Sequence, residues 1–508
     1  MIEKFKTYIL LATVAFSASS CLDKYPENAV ESDKGIQTVS DVDQAVIGIY
    51  SAFKSASLYS GNLTLLPDIQ TDLVYGVNGN TNTYGAIWRW NDILSNDGDI
   101  ESVYSGLYDV IGRCNFLFDN IDKVRDKVTD DELLDKLEQY SGAARFARAL
   151  AYSELIKLFC KSYESDEDAA NELGVVITRH YRGDEEIVRS SLKDSYQFVI
   201  DELELAAEEL ALEEDYDTAT SLSLFDSPYF NEYTVYALRA RIALYMKKWD
   251  DAVKYSTKLI DSGYYQLSSC NNEISSGVSY YKYMWTNDVS TETIWKVAFT
   301  PTSYGGALGR VFFNYDYSSV RPDYVPASWV LGLYDASDLR YEVFFQNFTT
   351  GYSHGLNWPL LIKYFGNQQF TQQYGILHVS MPKVFRLSEQ YLIRAEAYCN
   401  LGKYGDASKD LLTLRSARMK ASANVNITKD NWLDAISDER VRELYMEGFR
   451  LQDLKRWHRG FERTPQSQSL SAGSSLKVEK DDPMFVWPIP LHEIEAPGSQ
   501  IKPNESNK

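Results

Sequence analysis

The sequence predicts a mainly helical fold with one loop-rich lobe that holds a few short strands. Three observations carry that prediction. Several stretches place apolar residues every three to four positions, as amphipathic helices do. One helix-turn-helix pattern occurs twice at a fixed offset. Between its copies lies a segment crowded with Tyr, Gly, Ser, Thr and Asn, broken by short alternating runs. The chain has 508 residues, 44% hydrophobic and 24% charged. That balance belongs to a folded, water-facing body. It excludes a collagen, a disordered tail protein and a multispan membrane protein.

In chain order, the first element is an export signal. Lys4 and Lys6 form a basic start, and residues 8–16 follow with only Thr13 polar. Ser17, Ala18, Ser19 and Ser20 then lead to Cys21. The apolar run is too short to span a bilayer, so 1–20 read as a signal peptide. Cys21 stands where small residues give way to a polar, turn-rich stretch ending at Pro26. The arrangement resembles a bacterial lipoprotein signal, in which the cysteine becomes the acylated first residue and anchors the chain. Ala18 and Glu3 depart from the usual pattern, and ordinary cleavage with Cys21 a bystander is the alternative. Cys114, Cys160, Cys270 and Cys399 show no CxxC and no metal spacing. Cys114, Cys160 and Cys399 fall in helical patterns and read as small buried hydrophobes. No structural disulfide is expected.

Helices are predicted over 103–121, 132–159 and 191–212. In the second, Ala144, Ala147, Ala151, Leu155 and Leu158 form one stripe, whose small residues let a partner helix approach. Arg239-Ala240 precedes Trp249 and Ala252; 155 positions on (394 − 239), Arg394-Ala395 precedes Tyr404 and Ala407. Each copy has a short basic turn, Lys247-Lys248 or Gly402-Lys403. The unit looks like the tetratricopeptide repeat of about 34 residues; generic helical hairpins are the plainer reading. The lobe spans 266–385, between a helical region 21–265 and a second one at 386–508. Residues 293–299 and 343–348 read as strands within it. Trp329 and Trp457 read as core.

Composition narrows the function. The net charge of −21, from 72 acids against 51 bases, repels phosphate backbones, so no nucleic-acid partner is expected. Tyr, Phe and Trp make up 14% of the chain, 37 of them Tyr. So many amphipathic rings suit recognition of sugars or peptides.

Six stretches now identify a family: 21–26, 107–115 (LYDVIGRCN), 144–152 (ARFARALAY), 391–398 (YLIRAEAY), 438–457 (DERVRELYMEGFRLQDLKRW) and 487–494 (WPIPLHEI). Over nearly all its mature length the chain resembles the SusD/RagB family of outer-membrane lipoproteins of Bacteroidetes. The resemblance implies a tetratricopeptide-like scaffold with ligand loops on one face. It also implies a SusC-like, TonB-dependent barrel as partner, over which the lipoprotein acts as a hinged lid. The implied place is the outer membrane, lipid-anchored and facing the exterior, and the implied cargo is a glycan, or a peptide as in RagB-like relatives.

Read from its own residues, 438–457 is structural. Val441, Leu444, Gly448, Leu451 and Leu454 make one apolar stripe. Glu439, Glu443 and Glu447 interleave with Arg440, Arg442, Arg450 and Arg456, so ion pairing along the helix is expected rather than catalysis. Gly448, costly inside a helix by about 1 kcal/mol, marks close contact with a neighbour.

No histidine pair has a ligand spacing, and no P-loop or GxGxxG occurs. No cofactor and no metal are expected. Asp97, Asp99 and Glu101 begin like a calcium loop, but the twelfth position is Tyr108. Gly351-Tyr352-Ser353-His354-Gly355 matches the GxSxG elbow, which needs a strand before and a helix after. Pro359 obstructs that helix, so a glycine turn is expected, no catalysis follows, and a surface hydrolase is a distant alternative. Ligand contacts are expected from aromatics in polar, non-helical stretches: Tyr84, Trp88, Trp90 and Asn91 in the patch 63–96, and Trp285 and Tyr304 in the lobe. At strand spacing, Trp88 and Trp90 would share one face, as a paired platform or as a core contact.

Overall fold

The structure, a computed structural model, describes residues 35–507 apart from 91–92, 184, 212–226, 316–318, 421–423, 466, 468 and 472–473. The signal peptide, Cys21 and Asn91 lie outside the described residues. The scaffold is built from α1 (Val39–Ala52), α2 (Asn62–Ile69), α3 (Gly85–Arg89), α4 (Gly98–Arg125), α5 (Asp131–Phe159), α6 (Leu192–Glu209), α7 (Glu232–Tyr245), α8 (Trp249–Ile260), α9 (Leu387–Asn400), α10 (Tyr404–Ser416), α11 (Trp432–Leu444) and α12 (Arg450–Arg456).

The two longest helices form where capping and periodicity agree. Asp97 accepts from the backbone N–H of Asp99 and Ile100, and Asp130 from that of Leu133, so α4 and α5 begin at capping aspartates. In α4, Asp99 and Glu101 sit in the first turn and Lys123 and Arg125 in the last, matching the helix dipole. The Ala144–Ala147–Ala151 stripe is fully buried beneath its neighbours.

The repeat is real in space. α9 starts 155 residues after α7 (387 − 232), and α10 starts 155 after α8 (404 − 249). Equivalent side chains do equivalent work. Arg239 donates to Tyr255 Oη at 2.9 Å; Arg394 donates to Asp410 at 2.7 Å, again 155 positions on (410 − 255). Each turn needs one left-handed residue at the matching site, Lys247 (φ 57°) and Gly402 (φ 72°). The two hairpins also pack together, with Arg394 reaching Thr257 Oγ1 at 3.1 Å.

Strands among the described residues form six two-stranded antiparallel pairs and no larger sheet. Two of them place the lobe. β1 (Val74–Gly76) pairs with Tyr324–Pro326 and ties the region before α3 to the lobe. Thr293–Lys296 pairs with Lys383–Arg386 and brings the two ends of the lobe together. A second hydrophobic core fills the lobe, and it draws in Leu65, Tyr75, Trp88 and Tyr445 from outside it. The expected strand 343–348 is shorter, with a helical turn to Phe344 and then Phe345–Asn347. Cys114, Cys160, Cys270 and Cys399 are all buried and unpaired. Trp329 and Trp457 are half-buried at core edges, their Nε1 atoms donating to Asp72 O and Glu396 Oε1.

The reading of 438–457 needs two corrections. It is not one helix: α11 ends at Leu444 and α12 begins at Arg450. Met446 (φ 61°) and Gly448 (φ 84°) break it. A β carbon on Gly448 would lie 3.0 Å from Thr64 O, so the expected close contact is present, but at a break. Asp68 of α2 caps the new start, accepting from Gly448 N–H at 3.0 Å and Arg450 N–H at 2.8 Å. Second, the ion pairs run mostly between elements. Glu443 takes Arg386, Arg418 and Arg340 at 2.8–3.0 Å; Glu447 takes Lys363 and Arg386. Along the helices, among the described residues, Glu439 pairs with Arg442 and Asp453 with Arg456, and Glu439 also takes Arg340 and Arg415. The same Arg386 and Arg418 bind Glu292, so this buried charge cluster joins lobe to scaffold.

Candidate functional site

The segment 77–90 leaves β1 and crosses the junction of the two cores. Its turn is pinned from the lobe: Asp323 accepts from Thr81 N–H at 2.7 Å and Thr81 Oγ1 at 2.8 Å, and Tyr324 Oη donates to Thr83 O at 2.6 Å. Asn82, Tyr84 and Trp90 all adopt left-handed φ, at 65°, 60° and 68°. Non-glycine residues held this way store strain that surrounding contacts must hold, and such strain clusters at functional sites. What the turn presents is polar. Asn78, Thr81, Asn82 and Thr83 are exposed, Asn80 and Tyr84 half-buried. Arg89 donates from Nη1 to Asn82 Oδ1 at 2.7 Å.

Trp88 and Trp90 do not form the expected platform. Their backbone is a helical turn and its cap, not a strand, so the two rings diverge. Trp88 is 2% exposed and drops into the lobe core. Gly76 makes room for it, since a β carbon there would lie 2.7 Å from the ring. Arg463 covers it at 5.0 Å, and Tyr324 meets it edge-on. Trp90, 7% exposed, packs edge-on between Phe461 and Phe485 in the scaffold core. Trp285 is 2% exposed beneath Lys363, Lys383 and Arg386, which lie 4.1–5.4 Å from its ring. These three are interior residues, because burying a large indole outweighs leaving it in water.

Of the other two tyrosines, Tyr84 is half-buried and packs against both cores, and Tyr304 is exposed. Burial pushes the Tyr84 phenol up to about 12, with the charge of Asp99 adding to it, so it stays a proton donor at neutral pH. Tyr304 is 46% exposed. Its loop rests on the segment before α2: Lys54 Nζ donates to Ser303 Oγ at 3.2 Å, and Gly306 N–H to Ser60 Oγ at 2.6 Å. Asn62 at the start of α2 donates to Asp99 Oδ1 at 3.3 Å, and Asp99 acts on Tyr84. Segment 54–62 thus links the two tyrosines.

Sequence reasoning missed a neighbouring pair. Tyr352 and His354 stack at 5.0 Å and 13°, and His354 Nε2 donates to Asn78 O at 3.0 Å. Burial pushes the Tyr352 phenol up to about 12, helped by Asp323. Both residues lie in the GxSxG match, which drew the eye to Ser353 instead.

Two family models match. Residues 352–499 match the one described as SusD family. Residues 21–244 match the one described as starch-binding, associating with the outer membrane. The chain belongs to the SusD/RagB family. This SusD/RagB chain is 22% identical to SusD-like protein P25 of Formosa agariphila, covering 90% of each. A SusD superfamily protein of Bacteroides thetaiotaomicron superposes with a TM-score of 0.76 at 23% identity, covering 92% of this chain and 99% of that one. A SusD-like carbohydrate binding protein of Bacteroides vulgatus gives 0.72 at 20%, covering 92% and 98%. These likenesses carry the fold.

Within this SusD/RagB fold, 351–355 form a turn with 353–355 exposed. The strand Pro359–Leu361 follows it, with no helix to hold a nucleophile elbow. Asp97 is spent on capping α4 and Asp99 is bonded to Asn62, so the acidic turn is accounted for. Among the described residues no group of His, Cys, Asp and Glu is arranged to hold a metal, and no helix is long and apolar enough to cross a membrane.

Proposed function

We propose that this chain captures a glycan, an oligosaccharide or polysaccharide fragment, at the cell surface and passes it unchanged to a SusC-like TonB-dependent barrel. The observation that carries the reading is the pinned, strained turn 78–90. It carries the half-buried Tyr84 and Asn80 and the exposed Asn82, whose amide oxygen accepts from the Arg89 guanidinium. A sugar has an apolar C–H face and a rim of hydroxyls; a ring covers the first and amide or guanidinium groups bond the second. The rigid hold on the turn lowers the ordering cost of binding. Tyr304 is the second contact. The starch-binding, outer-membrane description of the matching family model supports the same reading. Acyl chains on Cys21 would hold the chain to the outer membrane, facing the exterior.

The test is calorimetric titration of the purified protein with α-glucan oligosaccharides, other glycan fragments and peptides. A glycan is expected to bind, and Tyr84→Ala to weaken it by about 1–3 kcal/mol, the scale of one large ring's burial. Peptide binding without glycan binding overturns the ligand class. Product formation that vanishes in Ser353→Ala overturns passive capture.

A further inference from the structure

A cleft of about 350 Å³ opens where the segment after α5, the end of α12 and the C-terminal strap meet. That volume is within the usual range for small-ligand pockets, about 300–1,000 Å³. Phe485 and Val486 line it with apolar surface. Six carboxylates stand around it: Glu164, Asp168, Glu172, Asp481, Asp482 and Glu505, against Lys161, Lys455 and His458.

Four of the six already share a cation. Lys161 lies 3.4 Å from Glu172 and 2.9 Å from Glu505. His458 bridges Glu164 at 3.0 Å and Asp481 at 2.6 Å. Lys455 is buried and commits its ammonium to Lys157 O and Cys160 O, at 2.6 and 2.8 Å, at the carboxyl end of α5. Burial pushes that ammonium down to about 7, so near neutral pH it brings only part of a positive charge to the cleft. Asp168 and Asp482 have no cation partner among the described residues. Asp482 Oδ1 accepts from Met484 N–H at 2.9 Å and from Trp90 Nε1 at 3.4 Å, and no bond is recorded to Oδ2. In the same wall the Ser162 hydroxyl is buried with no hydrogen-bond partner. A buried hydroxyl without a partner costs free energy that a ligand can recover.

We propose that this cleft binds an organic ammonium ion, its charge set against Asp168 and Asp482 and its apolar stem on Phe485 and Val486. A neutral ligand strips water from the carboxylates without replacing it, and an anion is repelled. The proposal does not depend on glycan capture.

Phenethylammonium is the probe and 2-phenylethanol its neutral counterpart. In calorimetric titration of the full chain, the ammonium binds saturably at one site and the alcohol about tenfold more weakly or less, the scale of one charge-assisted bond. Affinity falls as salt rises. Asp168→Asn with Asp482→Asn lowers it about tenfold. Lys161→Ala, an exposed change that spares the fold, frees Glu172 and Glu505 and tightens binding. Equal affinity for alcohol and ammonium overturns the proposal. So does ammonium binding that neither falls in the double variant nor rises in Lys161→Ala. Glycan titration of the same variants stays at the parent value, which separates this site from the surface around Tyr84.

Discussion

The Trp88 indole has no room to turn outward. Gly76 lies beneath it, Arg463 above it and Tyr324 at its edge. Trp88→Ala should therefore cost about 3–5 kcal/mol of stability through the cavity it leaves. Tyr84→Ala, at a half-buried position, should lower the melting temperature less than Trp88→Ala and weaken glycan binding. Thermal melts beside titrations separate the two; a Trp88→Ala protein that melts like the parent would sink the placement. The sequence placed both residues in one polar, non-helical stretch, whereas Gly85–Arg89 is a helical turn that contains Trp88. It could not tell which ring faced inward, because a short helical turn with left-handed ends looks like an alternating run. The residues that tip Trp88 inward, Gly76 and Arg463, are 12 and 375 positions away (88 − 76; 463 − 88). Glu443 shows the same distance problem. Burial alone would push its carboxyl up, but Arg418, Arg386 and Arg340 outweigh burial and hold it well below the ordinary carboxylate range. A carboxyl depressed in the folded state stabilises above its unfolded pKa, and that stability is lost as pH falls through the folded value. Glu443→Gln should cost about 3–5 kcal/mol at pH 7, since it leaves three buried guanidiniums short of a charge. The gap to the parent should narrow below pH ~4.5, as urea melts across pH would show; a constant gap would refute the ionised assignment.

Elements were legible where one local signal fixed them. The α7–α8 and α9–α10 hairpins repeat an arginine, a left-handed turn residue and a partner site at one offset, and each of these is written within some 30 residues of sequence. The α11–α12 break was not legible, because its apolar stripe runs on in register through it. The cap that creates the break, Asp68, comes from α2. Asp68→Ala should leave two N–H groups unbonded and cost about 1–3 kcal/mol. Gly448→Ala should cost more than the usual helical glycine change would gain, for its left-handed φ and the Thr64 carbonyl both oppose a β carbon. Denaturant unfolding of both variants measures this. Stabilisation by Gly448→Ala, as expected of a glycine inside a continuous helix, would contradict the break.

At the scale of the whole molecule, lobe and scaffold are joined three ways: the strand pair of β1 with 324–326, the shared core around Tyr75, Trp88 and Tyr445, and the Glu292–Arg386–Arg418–Glu443 cluster. The lobe is thus a rigid extension of the scaffold, and it holds the turn 78–90 through Asp323 and Tyr324. The capture proposed above takes place at a membrane surface, and none of the described helices is long and apolar enough to cross one. We propose Cys21, which lies outside the described residues, as the tether. One acyl chain binds a membrane only marginally, whereas several on one cysteine anchor stably. Mass spectrometry of the membrane fraction should find an acylated peptide beginning at Cys21. Cys21→Ser should move the protein into the soluble fraction with its glycan affinity intact. A soluble parent protein whose mature chain begins elsewhere would show that the anchor is wrong, while leaving the binding surface to be judged on its own titrations.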